Sequence, residues 1–383
     1  MKKDVDTRKT TDLRPLRFHG SNGPVDEAIE NLMEMVGGVR RPPLVREMIL
    51  AALKAGQEDD EKADLKLMNT SLKEMRFTAK IFGPYRHKKK VTVFGSARIQ
   101  KEEPTYRMAA LLGKKLKEAG YMVITGGGPG IMQAVNEGAG KDFSFGINIR
   151  LPFEQKSNPV VDGSSKSITY KYFFNRKVAF IKEAHAVALF PGGFGTLDEA
   201  METLTLLQTG KRDPMPLILI DVPDSSYWSQ WFEFLKEELL ERGYIHAADF
   251  NLFERVNSVS EVVERINRFY SRYHSLRYVE DKLVLRLHTP VTAEEAAILK
   301  ETFADILTPS GDLRPSKPLP EEANEPDLQH LPRLVLDFNR MSLGRLRKLI
   351  DTLNDPDCSV DQPEMEPDPV KQKQKPPQTL PEI

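Results

Sequence analysis

The chain has 383 residues, enough for one large domain with additions or for two to three domains on a prior of about 100–200 residues each. Lysine plus arginine (55) nearly balance aspartate plus glutamate (56), leaving a formal charge of −1; this excludes the global basic field that holds nucleic acid or an anionic membrane surface, so any polyanion site must be local. The single cysteine, Cys358, excludes an internal disulfide framework and a cysteine-rich metal site and fits a reducing, cytoplasmic setting, while the absence of an apolar leader or a run of roughly 18 apolar residues argues against secretion and membrane insertion.

Residues 1–24 are polar and are expected to be disordered. Residues 25–82 repeat apolar positions at helical spacing, as in "VDEAIENLMEMV" and "LVREMILAALKA", and predict a helical N-terminal segment. The basic run "RHKKK" (86–90) reads as a solvated cluster beside the start of a strand at 91–94, which ends at Gly95-Ser96. Pro104 opens a helix in which Ala109, Leu112, Leu116 and Ala119 share a face, and Gly120 closes it before a strand at 121–125. Further strands are expected at 143–149, 186–190 and 216–220, with helices near 172–184, 197–209, 227–242 and 258–270. Strands separated by helical patterns predict an α/β fold over 83–274: a Rossmann-like, doubly wound parallel sheet with helices on both faces. Residues 275–354 change texture. Strands at 281–288 and 332–340 and two amphipathic helices predict a small α+β appendage there, and the tail at 355–383, with seven prolines, is expected to be disordered.

In an open parallel sheet, ligands bind beyond the carboxyl ends of the strands. Three strand ends carry glycine-rich turns here: Gly95-Ser96, "GGGPG" from Gly126 through Gly127 and Gly128 to Gly130, and "PGGFGTLDE", which places Gly192, Gly193, Phe194, Gly195 and Thr196 ahead of Asp198 and Glu199. Glycine admits a ligand close to the backbone, and the first amides of a following helix lack partners, a combination that favours a phosphate. A dinucleotide fingerprint fails because "GGGPGI" has isoleucine at the last glycine position, and no Gly-Lys-Ser/Thr completes a P-loop. Thr196 to Glu199 fits the S/T-x-x-E capping box, a structural use of the glutamate. Its place behind a glycine turn favours a carboxylate that faces the ligand. Upstream, "FFNRK" sets Arg176 and Lys177 on a helix that leads into the same strand, within reach of the same crevice; the planar fork of arginine suits ribose and phosphate oxygens.

Taken together, "PGGFGTLDE", "FFNRK", "VFGSAR" and "GGGPGIM" resemble the LONELY GUY family, in its longer bacterial form, over about residues 80–270. An older label of that family is "lysine decarboxylase-like". The resemblance implies a hydrolase that cleaves the N-glycosidic bond of purine nucleoside 5′-monophosphates, such as AMP or a cytokinin riboside monophosphate, to free base and ribose 5-phosphate. It implies Glu199 and Arg176 as catalytic residues and a phosphate site at Gly192–Thr196. Substrate contacts are implied at Lys177 and Thr205, with Glu154 and Asn158 as weaker candidates for the sugar or base; Asp198, beside Glu199, is read from its position as facing solvent or the helix dipole, with a minor binding role at most. Gly95, Ser96, Gly127 and Gly128 complete the expected binding set. Phe173-Phe174 stands where plant members have Met-His, which leaves the preferred base open. No cofactor and no metal are implied, and a homodimer or higher homo-oligomer is. The alternative is a non-catalytic nucleotide-binding sensor using the same pocket.

Overall fold

The computed structural model describes residues 22–58, 61–152 and 156–355. The expected disorder at the N-terminus and in the proline-rich tail, together with Cys358 and Glu154, falls outside those residues, apart from the few tail and leader positions within 22–24 and at 355. By contacts the chain divides at Arg76–Phe77 into two units. In the first, α1 (Pro24–Met35) opens with proline at its first position, and α2 (Pro42–Glu58) and the greater part of α3 (Lys62–Phe82) follow. Ile29, Met33 and Leu50 form its small core, and Arg46 pairs with Asp26 at 2.6 Å.

The second unit is built on β1 (Lys90–Phe94), α4 (Pro104–Glu118), β2 (Met122–Thr125), α5 (Ile131–Ala139), β3 (Ser144–Ile149), β4 (Ser167–Tyr170), α6 (Phe173–Glu183), β5 (Ala186–Leu189), α7 (Phe194–Gln208), β6 (Leu217–Ile220), α8 (Tyr227–Phe234), β7 (Glu254–Val256) and α9 (Val259–Phe269). The strands form one parallel sheet in the order β4-β3-β2-β1-β5-β6-β7. Alternate residues of a strand feed opposite layers. Val187 and Leu189 of β5 pack with Phe180 of α6 and Ala200 of α7, whereas Ala186 and Ala188 join the layer of Leu112, Val135 and Ile266 from α4, α5 and α9. Both faces are covered, so the central strands are apolar at nearly every position.

The chain moves outward from β1 through β2 and β3 to β4, then returns to β5 on the other side of β1. Strand order therefore reverses between β1 and β5, the switch point at which such sheets bind ligands.

Sequence periodicity misses the edge strands β4 and β7, which are short and partly polar. The basic run also differs from its expected solvated state: Lys90 is buried as the first residue of β1, its ammonium donating to the Lys88 carbonyl at 3.0 Å, and the Lys89 ammonium lies 3.9 Å from the Tyr270 ring centroid. A cation's alkyl stem and a ring face together let these residues pack at the sheet's amino end.

Beyond α9 an antiparallel sheet runs β10-β11-β9-β8, made from β8 (Tyr273–Val279), β9 (Lys282–Leu287), β10 (Leu313–Ser316) and β11 (Arg333–Leu336), with α10 (Ala293–Thr302) and α11 (Leu343–Leu353). Leu283, Leu285, Leu334 and Leu336 share a core with Leu346 and Ile350 of α11. In the turn Pro320–Glu322 between β10 and β11, the Glu322 carboxylate is fully buried between Arg286 at 2.7 Å and Arg333 at 3.0 Å. Arg347 of α11 ties the appendage to the parallel sheet, donating to the Met215 carbonyl at 3.0 Å and to Glu254 at 2.6 Å. No helix among the described residues is long and apolar enough to cross a membrane.

Candidate functional site

The turn after β5 is shaped by where its backbone groups go. Pro191 accepts a bond from the Ser96 amide at 3.1 Å, Gly193 accepts from the amides of Thr196 and Leu197 at 3.0 and 3.2 Å, and Gly192 accepts from the Tyr227 hydroxyl at 2.8 Å. All three carbonyls are therefore engaged. The amides of Gly192, Gly193, Phe194 and Gly195 have no acceptor among the described residues. Successive free N–H groups at a helix start form a site for an anion. Gly192 must be glycine for this packing: a Cβ there would lie 2.1 Å from Thr196 Oγ1 and 3.0 Å from the Ser96 nitrogen.

Glu199 stands one turn further along α7. It is 6% exposed, and its Oε2 has no hydrogen-bond partner among the described residues. Burial pushes its carboxyl up to about 7, against the pull of Lys177. The capping box that the Thr196 to Glu199 pattern allows does not form. Gly193, with φ −85° and ψ −161°, is the N-cap, so α7 begins at Phe194 and Glu199 lies in its second turn, too far along to reach the cap amide.

Arg176 reaches the cleft from α6. Its Nε donates to the Ile147 carbonyl at 2.8 Å, and its guanidinium lies 5.0 Å from the Phe180 ring centroid. Burial lowers its pKa and the Glu199 charge opposes that shift. A Cβ on Gly126 would come within 2.6 Å of Arg176 Nη2 and 2.7 Å of Met132 Sδ, so the bare backbone there is what makes room for both side chains.

These groups surround a cleft of ≈ 680 Å³ that brings together Gly95, Ser96, Arg176, the Gly192–Thr196 turn, Asp198 and Glu199. Other expected positions are placed elsewhere. Lys177 is held between Asp198 and Glu202, each at 2.8 Å. Asn158 is buried behind the second glycine turn, donating to the Gly128 carbonyl at 3.1 Å and to Asn136 at 3.0 Å, while Gly127 donates to Thr125 Oγ1 at 3.1 Å; these groups brace the turn from beneath. Thr205 is exposed on α7 and bonds its own helix at Met201. Glu154 lies outside the described residues. The cleft also has walls that sequence reasoning missed, Arg98, Met132, Phe173 and Tyr227. Arg98 ends the "VFGSAR" stretch and was legible there. Tyr227 follows a different strand and had no local signal.

Residues 122–266 match a family model described as "Possible lysine decarboxylase". A cytokinin riboside 5′-monophosphate phosphoribohydrolase of Arabidopsis thaliana is 26% identical over 195 residues, covering 49% of this chain and 85% of the relative. A pyrimidine/purine nucleotide 5′-monophosphate nucleosidase of Escherichia coli is 31% identical over 170 residues, covering 41% of this chain and 36% of the relative. Over this stretch the parallel-sheet domain is similar to the LONELY GUY family. Among solved structures, a molybdenum cofactor binding protein from Rippkaea orientalis is 23% identical, covers 47% of this chain and 96% of its own, and superposes with a TM-score of 0.35. A pyridoxal phosphate decarboxylase needs a lysine amine for its Schiff base, and the described residues lining the cleft include no lysine.

Proposed function

We propose that this protein hydrolyses the N-glycosidic bond of nucleoside 5′-monophosphates, AMP and cytokinin riboside monophosphates among them, to free base and ribose 5-phosphate. One observation carries the reading: a row of unpaired amides lies next to a buried carboxylate with an unpaired oxygen at the sheet's switch point. The activities of the Arabidopsis and Escherichia coli relatives support it.

Breaking the bond between C1′ and the base nitrogen builds cationic, oxocarbenium-like character on the sugar. The ionised Glu199 carboxylate stabilises that charge and orients the attacking water. The water oxygen bonds to C1′ as the bond from C1′ to the base nitrogen breaks; one water proton passes to Glu199 and from there, through solvent, to the departing base, which regenerates the carboxylate. General-base help of this kind contributes ~10²–10⁴-fold. The 5′-phosphate on the free amides supplies binding energy remote from the reacting bond, and Arg176 fixes the ribose against Glu199. The cleft mouth carries exposed Phe173 and Phe194, with Phe174 and Val178 exposed on α6, an apolar strip that a second subunit would cover. A cytoplasmic homodimer completes the reading.

The test is a panel of AMP, GMP, CMP and isopentenyl-AMP incubated with wild type and Glu199→Gln, with free base read by chromatography. Release by wild type alone supports the proposal. A protein that binds these nucleotides and releases no base is a sensor, and the proposal is then wrong.

A further inference from the structure

Tyr227 is the first residue of α8 and reaches the cleft from beyond β6, a strand that contributes nothing else to the phosphate turn. Its hydroxyl donates to the Gly192 carbonyl at 2.8 Å. The ring is held edge-on against Trp228 with centroids 4.8 Å apart, and Trp228, fully buried, packs in the same way on Trp231 at 5.6 Å. Burial raises the phenol pKa, so the group stays protonated and able to donate at neutral pH.

In a trans peptide the C=O and N–H point in opposite directions, and the described residues contain no cis peptide. Fixing the Gly192 carbonyl at Tyr227 therefore turns the Gly193 N–H to the other side of the peptide, where it has no acceptor among the described residues. Ser96 does the same for the preceding peptide through the Pro191 carbonyl. The Gly192–Gly193 peptide has no side chain on either flank to restrict it, so without the phenol it is free to rotate. Rotation would aim a carbonyl dipole at the anion in place of an amide.

We propose that Tyr227 is a positioning residue for the phosphate turn: its hydroxyl holds the Gly192–Gly193 peptide in the orientation that offers the Gly193 N–H to the 5′-phosphate. The inference rests on the phosphate reading of this turn and adds a further element, α8, to the machinery that recognises the substrate's anionic end.

The experiment compares wild type with Tyr227→Phe, which keeps the ring and removes only the hydroxyl. Ribose 5-phosphate is titrated while emission is followed from Trp228 and Trp231, the chain's two tryptophans, and kcat and KM are measured for AMP and for adenosine. Loss of one neutral hydrogen bond is expected to weaken ribose 5-phosphate binding by about 3- to 10-fold and to lower the preference for AMP over adenosine by a similar factor. The shift falls on KM more than on kcat. Unchanged ribose 5-phosphate affinity overturns the proposal, and so does a lower melting temperature with the AMP preference intact, which marks Tyr227 as structural only. If the tyrosine effect on ribose 5-phosphate is present but wild type releases no base, the positioning role stands and the hydrolase reading falls. If wild type binds no ribose 5-phosphate, both fall.

Discussion

The Ser96 amide donates to the Pro191 carbonyl at 3.1 Å, joining the loop after β1 to the loop after β5 across the point where strand order reverses. Gly192 follows at this seam with no space for a side chain. Gly192→Ala forces Thr196 and the Ser96 loop apart, an overpacking cost of about 1–3 kcal/mol, or roughly a five- to hundredfold loss if it falls on nucleotide binding. Calorimetric titration with AMP checks it. Wild-type affinity in this variant would mean the turn does not hold the phosphate.

Glu199 yields a prediction in which stability and activity move in opposite directions. Its carboxyl pKa is raised by burial from the ordinary 4.5 to about 7, so the folded state binds more protons than the unfolded state between those values. Stability is then full below 4.5, falls as pH rises to about 7, and stays lower above it. Glu199→Gln removes that burden, on the order of a few kcal/mol, and is expected to melt no lower than wild type at about pH 8 while losing ~10²–10⁴-fold in base release. A variant that loses activity only in proportion to its folded fraction contradicts a catalytic role.

The pH profile offers an independent check through Lys177. This ammonium sits between Asp198 and Glu202 and opposes the burial of Glu199. Activity that needs ionised Glu199 rises with pH to a midpoint near 7 in kcat/KM. Lys177→Met withdraws the stabilising cation and should move that midpoint upward, whereas loss of a direct substrate contact would raise KM and leave the midpoint in place. Profiles of the two proteins on one nucleotide decide between them.

Beside the C-terminal sheet, Glu322 is buried between Arg286 and Arg333. Glu322→Ala leaves Arg333, 0% exposed, without its carboxylate partner and Arg286, 4% exposed, with Glu325 alone, an imbalance worth about 3–5 kcal/mol. A marked fall in melting temperature is expected. A variant as stable as wild type would show that water or rearrangement satisfies the arginines.

The contrast between two similar tetrads shows how far sequence could go. Thr292 to Glu295 fits S/T-x-x-E and does form a capping box at α10, with the Glu295 amide donating to Thr292 Oγ1 at 3.1 Å. Thr196 to Glu199 fits the same pattern and does not, because Gly193 adopts the extended cap conformation and α7 starts ahead of the threonine. The difference lies in backbone angles at a glycine, which residue identity leaves open. The central strands were legible since continuous apolar runs mark burial on both faces. β4 and β7 were not, being edge strands of four and three residues with exposed positions. Glu199, Arg176 and the turn were readable from local pattern, while Tyr227 and Met132 enter the cleft only through the order of the strands. Asn158 and Lys177 carry polar groups that tertiary partners claim, a fact no linear spacing encodes.

The most direct measurement of the central claim is adenine release from AMP and from adenosine at equal concentration, followed to ribose 5-phosphate or ribose as the second product. Seating of the phosphate on the Gly192–Gly195 amides predicts rapid release from AMP and, with that remote binding energy removed, a rate from adenosine lower by a factor on the order of 100 or more. Equal rates from the two, or AMP left intact, would contradict the account.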